Sequence, residues 1–267
     1  MALDNRPIGV FDSGVGGLTV LRALADHFPQ EQFIYVGDTA RVPYGNKSPA
    51  TIQRYTEEIL HFLKSKKDVK AFVIACNSAS ANFSKSSYED RPVYNVIEPG
   101  CDEALSLTKN KKIGVLGTRA TVQSSAYNTR LKARNSEVEV QSVACPLFVP
   151  LAEEGWIDDP VTNLIAYRYL QGLKIRNVDT VILGCTHYPL LRSSIQRAFG
   201  ANVTLVDSGR ALSQTLSQQM QDGALGTADF QKSQIELYST DESPLFLSMA
   251  KYVLSPLHFQ NPEQIAI

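Results

Sequence analysis

Short apolar runs rich in valine and isoleucine alternate along the chain with longer segments whose apolar residues recur at helical spacing. In the first third of the chain, the apolar runs at residues 8–11, 33–36 and 71–75 predict buried strands. Between them, the spacing predicts one helix from about residue 18 to 27 and another from about residue 51 to 64. This alternation favours the α/β class, in which helices cover both faces of a parallel sheet.

The pattern repeats once, because four segments of the first half have counterparts in the same order in the second half. The offset drifts from 105 residues (8 to 113) to 109 residues (76 to 185). The pairs are 8–13 with 113–118, 38–43 with 145–150, 73–78 with 182–187, and 96–100 with 205–209. The repeat predicts two similar α/β domains with parallel-type sheets, related by pseudo-twofold symmetry and facing each other across a cleft.

The residues after 207 are too few to build a third domain of this kind. They contain one helix-like stretch, 211–221, and one strand-like stretch, 234–238. We therefore expect them to complete the first domain, which is then discontinuous in sequence. The predicted domains are residues 1–98 plus 208–267, and residues 99–207.

Composition narrows the class of protein. The 267 residues include 26 Lys and Arg against 27 Asp and Glu, so there is no surplus of positive charge for nucleic acid. No stretch approaches the roughly 18 apolar residues that cross a membrane, and Asp4 and Pro7 stand where a signal peptide has its apolar core. The cysteines lack CxxC spacing, which indicates free thiols in a reducing compartment. We expect a cytoplasmic protein that binds neither nucleic acid nor membranes.

Polar side chains follow four of the apolar runs. They are Asp12-Ser13, Cys76-Asn77-Ser78, Thr118 and Cys185-Thr186-His187. Ligands of open parallel sheets bind outside the carboxyl ends of the strands, so we expect these groups to surround one site. The repeat places Cys76 and Cys185 at equivalent positions on opposite sides of the cleft. One thiol on each side suits racemisation or epimerisation, in which a proton leaves one face of a carbon and another arrives on the opposite face.

Asp12 and His187 stand where groups that assist the thiols are needed. A carboxylate or an imidazole beside a cysteine accepts its proton or orients its thiolate. The glycine-rich turn at 12–18 is either an anion cradle or a plain tight turn, and it has neither a dinucleotide fingerprint nor a P-loop. The loop Tyr44-Gly45-Asn46 either adds hydrogen bonds to a ligand or is a simple turn. For Cys101 and Cys145 we expect packing roles.

Four segments at these positions resemble the aspartate/glutamate racemase family, and within it the glutamate racemases. They are GVFDSGVGGL (9–18), GDTARVPYG (37–45), ACNSA (75–79) and GCTHYPL (184–190). The resemblance covers nearly the whole chain. It implies cofactor-independent interconversion of L- and D-glutamate, which supplies D-glutamate for peptidoglycan. It also implies two α/β domains with the active site between them.

The resemblance also assigns residues. Cys76 resembles the thiol that acts on D-glutamate, assisted by Asp12, and Cys185 the thiol that acts on L-glutamate, assisted by His187. Glu153 resembles an acidic residue linked to that histidine, although Glu154 is adjacent. The substrate-binding pairs of the family match Asp12-Ser13, Tyr44-Gly45, Asn77-Ser78 and Thr186-His187. Ser78 departs from the threonine common in the family, but it keeps the hydroxyl.

The strand-end motifs contain no lysine, so they offer no Schiff-base partner for pyridoxal phosphate. We expect hydrogen bonds from serine, asparagine and threonine groups, Thr118 among them, to stabilise the carbanion. No cofactor and no metal are expected, since the Cys185-Thr186-His187 spacing supplies at most two adjacent ligands.

Three alternatives remain open from the residues alone. They are a racemase of aspartate or another acidic amino acid, a hydrolase that uses Cys185 with His187, and a binding module without catalysis. The sequence leaves the oligomeric state open, and a homodimer is compatible with it.

Overall fold

The computed structural model describes residues 3–267, which form two β-sheets flanked by helices. The strands are β1 (Ile8–Asp12), β2 (Gln32–Gly37), β3 (Ala71–Ile74), β4 (Ser87–Tyr88), β5 (Arg91–Asn95), β6 (Lys112–Gly117), β7 (Glu139–Ala144), β8 (Thr180–Gly184), β9 (Thr204–Asp207), β10 (Gln234–Ser239) and β11 (Glu263–Gln264).

The helices connect these strands and cover the sheets. They are α1 (Leu18–His27), α2 (Pro49–Lys67), α3 (Asn77–Asn82), α4 (Ile97–Leu107), α5 (Arg119–Gln123), α6 (Ala126–Arg134), α7 (Phe148–Glu153), α8 (Pro160–Ile175), α9 (Arg192–Phe199), α10 (Ser208–Gln221) and α11 (Pro244–Leu254). Three 3-10 helices lie at Thr39–Arg41, Tyr44–Asn46 and Tyr188–Leu191. None of the helices in residues 3–267 is long and apolar enough to span a membrane.

The first sheet has seven strands in the order β11-β10-β2-β1-β3-β5-β4. All neighbours are parallel except β4 and β5, which are antiparallel. Strand β10 pairs with β2 over its whole length, so the C-terminal part of the chain belongs to this sheet. We call this sheet and the helices packed on it the first unit.

The second sheet has four parallel strands in the order β7-β6-β8-β9. This order is equivalent to β2-β1-β3-β5 of the first sheet, as the predicted pseudo-twofold relation requires. We call this sheet and its helices the second unit. The prediction of two similar α/β units with parallel-type sheets is confirmed.

The register of the fourth repeat pair was wrong. Residues 205–207 belong to β9, whereas their predicted counterparts, residues 96–98, cap and begin helix α4. The true equivalents are Asn95 and Asp207, 112 residues apart (95 to 207). Each ends its strand and accepts hydrogen bonds from the backbone N–H groups two and three residues ahead. Both side chains thus satisfy free N–H groups at the start of the following helix.

The strands and helices predicted in the first third of the chain are present, with ends shifted by up to three residues. Helix α2 differs most. It begins at Pro49, because a proline fits the first helical position and the Ser48 hydroxyl accepts from the N–H of Thr51 at 3.3 Å. It ends at Lys67, where Asp68 adopts a left-handed conformation with φ 46°.

The helices that join the two units pack on different cores. In α4, Ile97, Cys101 and Ala104 lie in a core of the second sheet. In α10, Leu212 and Leu216 lie in a core of the first sheet. We therefore propose the division that the sequence predicts, residues 1–98 plus 208–267 and residues 99–207, with the first boundary inside the opening turn of α4.

Candidate active site

A cavity of about 640 Å³ opens between the two units, at the carboxyl ends of their parallel strands. Every site residue predicted from the sequence lines it except Asp12. The lining residues from that prediction are Ser13, Tyr44, Gly45, Cys76, Asn77, Ser78, Thr118, Glu153, Cys185, Thr186 and His187. Parallel strands of both sheets therefore bring these dispersed segments to one place.

Cys76 lies between the end of β3 and the start of α3. Its side chain is only 5% exposed, and its Sγ lies 3.6 Å from the Oγ of Ser13. Burial, together with the nearby Asp12 carboxylate, raises the pKa of the Cys76 thiol to about 12. At neutral pH this cysteine is therefore a protonated thiol, the form that donates a proton.

Asp12 is the last residue of β1 and is fully buried beneath the cavity surface. Its Oδ2 accepts from the N–H of Gly14 at 3.0 Å, and its Oδ1 accepts from the hydroxyl of Thr186 at 3.4 Å. Burial raises the pKa of Asp12, and His187 and these hydrogen bonds oppose that rise. Asp12 thus lies close enough to Cys76 to raise the pKa of its thiol and is in contact with Thr186. Its predicted roles in assisting Cys76 and in binding the substrate stay predictions.

Cys185, His187 and Glu153 form a chain of contacts in the second unit. The Sγ of Cys185 lies 3.9 Å from Nδ1 of His187, and Nε2 of the same ring lies 3.0 Å from Oε1 of Glu153. Burial lowers the pKa of His187, but contacts with the cysteine and the carboxylate outweigh it and raise that pKa to about 10. The ring is therefore an imidazolium at neutral pH, and it faces the sulfur of Cys185.

The contact to His187 comes from Glu153 and not from its neighbour. Glu153 is the last residue of α7 and lines the cavity, whereas Glu154 is exposed and does not.

A cluster of hydroxyl groups joins the two units beside the thiols. The Oγ of Ser78 in α3 lies 2.9 Å from the Oγ1 of Thr118, which caps α5 in the second unit. Buried Thr121 adds a third hydroxyl, 3.1 Å from that of Thr118. Of these groups, Ser78 and Thr118 line the cavity and offer hydrogen bonds to an anionic ligand from both sides. Ser78 supplies the hydroxyl expected at its position.

Tyr44 lines the cavity, and its predicted contact with the substrate stays a prediction. Its hydroxyl donates to the buried carboxylate of Asp38 at 2.5 Å, and Arg41 also pairs with that carboxylate. The hydroxyl of Tyr44 is therefore engaged, and its ring packs against Phe11 and Tyr55. Next to it, Gly45 lies so close to the second unit that an added Cβ would be 3.0 Å from the Cβ of Thr118.

The glycine-rich turn after β1 packs directly on the segment that follows Cys185. A Cβ at Gly16 would lie 2.4 Å from both Nδ1 of His187 and Oγ1 of Thr186. The hydroxyl of Thr19 donates to the carbonyl of Thr186 at 2.8 Å. The turn thus contacts the second unit. Neither an anion cradle nor a plain tight turn, the two alternatives drawn from the sequence, predicts this contact.

Several cavity residues were not predicted from the sequence. They are Gly14, Val42, Pro43, Asn46, Arg119, Pro146, Leu147, Val149, Pro150 and Tyr169. A signal existed for seven of them. Gly14 belongs to the glycine-rich turn and Asn46 to the loop that begins at Tyr44. Val42-Pro43 and Val149-Pro150 are one of the repeat pairs, so equivalent loops flank the cavity on both sides. Arg119 directly follows Thr118, at a strand end that the sequence had already singled out.

The clustered titratable groups do not form a metal site. Within residues 3–267, no group of three or more His, Cys, Asp or Glu side chains is arranged to hold a metal ion.

Comparisons with known proteins agree with this geometry. Residues 17–216 match the family model described as Asp/Glu/Hydantoin racemase. The chain is 50% identical over 222 residues to the glutamate racemase of Geobacter metallireducens, a match that covers 82% of each chain.

Solved structures are similar over almost the full length. A glutamate racemase isoform from Bacillus anthracis matches with a TM-score of 0.91 at 35% identity, over 98% of this chain and 97% of that one. The glutamate racemase of Francisella tularensis, solved in complex with D-glutamate, matches with a TM-score of 0.89 at 37% identity, over 99% and 98%.

Proposed function

The chain belongs to the Asp/Glu/Hydantoin racemase family, and on that premise we propose that it interconverts L- and D-glutamate by a two-base mechanism. The observation that carries the proposal is the placement of two thiols. Cys76 follows a strand of the first sheet, Cys185 follows the equivalent strand of the second sheet, and both line one cavity. A racemase needs an acid and a base on opposite faces of one carbon atom, and this arrangement supplies them.

The two thiols differ in their surroundings, and the difference assigns their starting states. We assign removal of the α-proton of L-glutamate to Cys185, because the positively charged ring of His187 lies 3.9 Å from its Sγ. The electron pair of the broken C–H bond stays on the α-carbon. The Cys76 thiol then gives its proton to the opposite face and is left as a thiolate. In the reverse direction, Cys76 takes the proton of D-glutamate and Cys185 returns one.

The α-proton of an amino acid is weakly acidic, so the site must stabilise carbanion character. We assign this role to the Ser13, Asn77, Ser78, Thr118 and Thr186 groups that line the cavity. Hydrogen-bond donors that are already oriented stabilise developing charge on the α-carboxylate at little reorganisation cost. No cofactor takes part in this proposal, and activity that depends on added pyridoxal phosphate would contradict it.

We propose that the enzyme supplies D-glutamate for peptidoglycan, as the resemblance implies. Aspartate is the alternative substrate of the same chemistry, and comparing the kcat/KM of the two amino acids decides between them.

The test follows L-glutamate by circular dichroism and by solvent exchange in D2O. The wild type is expected to form D-glutamate and to replace the α-proton by deuterium, whereas Cys76→Ser and Cys185→Ser are both expected to lose racemisation. Cys101→Ala is the matched control, because Cys101 is buried in a core away from the cavity. Loss of racemisation in only one of the two active-site variants would contradict the two-thiol mechanism. A hydrolase that uses Cys185 would tolerate the change at Cys76, and a binding module would exchange no proton.

A further inference from the structure

Tyr127 lies outside the cavity but touches one of the residues that line it. It belongs to α6 of the second unit and is 2% exposed. Its hydroxyl accepts from Nδ2 of Asn77 at 2.8 Å. Asn77 is the first residue of α3 in the first unit. One hydrogen bond thus runs from a buried tyrosine of one unit to a cavity residue of the other.

The same hydroxyl has a second neighbour. The Oγ of Ser208, the first residue of α10, lies 3.4 Å away. Helix α10 carries the chain from the second unit back to the first, and it packs on α4, which carries the chain the other way. At that contact the two helices are so close that a Cβ on Gly100 would be 2.9 Å from Oγ of Ser208. Tyr127 therefore touches the crossover as well as the cavity residue.

The hydroxyl of Tyr127 keeps its proton over the working pH range. Burial raises the pKa of Tyr127, and no oppositely charged side chain lowers it. A neutral hydroxyl accepts from Asn77 and donates to Ser208 at the same time. Within the described chain, the hydrogen bond to Tyr127 is the one that the Asn77 side chain makes. It leaves Oδ1 and the second N–H of Nδ2 available to a ligand in the cavity.

We propose that Tyr127 is a positioning residue that fixes the amide of Asn77 toward the substrate and does so only while the two units hold their observed arrangement. The geometry couples the two, because the donor and the acceptor of this hydrogen bond stand on different units. A shift of one unit against the other breaks the bond and frees the amide to rotate. This inference rests on the proposed function, because it takes Asn77 as a group that binds the substrate.

The test is a double-mutant cycle of Tyr127→Phe and Asn77→Ala. Tyr127→Phe removes one oxygen and keeps the ring. It leaves a buried N–H unpaired, and we expect kcat/KM for glutamate to fall about tenfold. In the Asn77→Ala background the same change is expected to cost less than twofold, because the amide it orients is gone. Tyr238→Phe is the matched control. Its buried hydroxyl donates to Glu236 away from the cavity, and its loss is expected to leave kcat/KM within twofold.

Thermal unfolding and binding of D-glutamate are measured on the same proteins. A merely structural tyrosine would lower kcat/KM equally in both backgrounds, and equal losses would overturn the inference while leaving the racemase proposal intact. A wild type that binds D-glutamate without racemising it would overturn the proposed function, and the cycle is then read from binding affinities. A wild type that neither binds nor racemises glutamate would overturn both. If Tyr127→Phe fails to fold, Ser208→Ala gives a second variant. It is expected to weaken binding of D-glutamate when Asn77 is present and to have no effect in the Asn77→Ala background.

Discussion

The Nε2 atom of His187 lies 3.0 Å from Oε1 of Glu153, so the imidazole is held between a carboxylate and the sulfur of Cys185. This contact orients the ring, with Nδ1 toward the thiol. It also favours the charged ring, since a carboxylate at hydrogen-bond distance stabilises an imidazolium. We therefore propose that Glu153 acts on the substrate through His187 and Cys185.

Glu153→Gln is expected to lower the pKa of His187 from its value of about 10, because it removes the negative charge and keeps the shape. The imidazolium is then lost at lower pH. The alkaline limb of the pH profile of kcat/KM for L-glutamate should shift to lower pH by about one unit. The value of kcat/KM at the plateau should fall about tenfold. The measurement is that profile for the wild type and the variant.

Glu154→Gln is the control for this change. Glu154 is exposed and does not line the cavity, so its profile should overlay that of the wild type. An unshifted alkaline limb in Glu153→Gln would mean that His187 does not depend on the carboxylate.

Asp12→Asn is expected to change the reactivity and the activity of Cys76 in opposite directions. The Asp12 carboxylate helps to raise the pKa of the thiol, so its removal lowers that pKa. Each unit of decrease raises the thiolate fraction about tenfold at a pH below the pKa. Alkylation of Cys76 by iodoacetamide at pH 9 should therefore speed up, while racemisation of D-glutamate should slow because the assisting carboxylate is gone.

Mass spectrometry of the peptide that contains Cys76 separates its alkylation from that of Cys185. Asp158→Asn serves as the control, since Asp158 is an exposed carboxylate paired with Arg197. Slower alkylation of Cys76 in Asp12→Asn would show that the carboxylate promotes the thiolate instead of opposing it.

Gly16→Ala tests whether the close contact between the two units is needed for catalysis. The added Cβ would lie 2.4 Å from Nδ1 of His187, far inside van der Waals distance, so the ring or the turn must move. We expect kcat/KM to fall by at least tenfold in a folded protein, because displacement of His187 disrupts its contacts with Cys185 and Glu153.

Gly172→Ala is the matched control for Gly16→Ala. Gly172 lies inside helix α8, and a Cβ there meets nothing within 4 Å. Alanine favours the helix over glycine, so this variant should keep its activity and unfold at the same or a higher temperature. Wild-type kinetics in Gly16→Ala would mean that the turn yields without disturbing His187.

Much of this site follows from local sequence pattern. Apolar runs identify the strands of a parallel sheet, and the carboxyl ends of such strands form one surface. The sequence alone therefore predicts that Cys76 and Cys185 lie on one cleft. The pattern misaligns the fourth repeat pair, because two apolar runs match almost equally well when one is shifted by a few residues. The helix-capping role shared by Asn95 and Asp207 fixes that register.

Other parts of the site depend on distances that no local pattern encodes. Tyr127 looks like an ordinary apolar position of an amphipathic helix, and its contact with Asn77 exists only because α6 and α3 meet across the two units. Glu153 was identified by resemblance alone, since nothing in its own segment separates it from Glu154. Gly16 was recognised as part of a turn, but the atoms that require a glycine belong to Thr186 and His187, 170 and 171 residues away (16 to 186 and 187).

One arginine and no lysine line the cavity in the described part of the chain. Arg119 begins helix α5, is exposed, and takes part in none of the ion pairs found among residues 3–267. Glu153 also lines the cavity, but its carboxylate is paired with His187. Glutamate carries a net negative charge, and the whole protein carries a formal net charge of -1, so attraction at the cavity must come from local groups.

Arg119→Gln is therefore expected to weaken capture of the substrate and to spare the chemical step. KM for both enantiomers should rise about threefold, the size expected for one exposed charge, while kcat stays within twofold. Added salt should raise KM in the wild type and change it less in the variant, because screening acts on the attraction that the variant lacks. Arg176→Gln removes an exposed arginine away from the cavity and should leave KM unchanged. A loss of kcat at constant KM would instead assign Arg119 to the transition state.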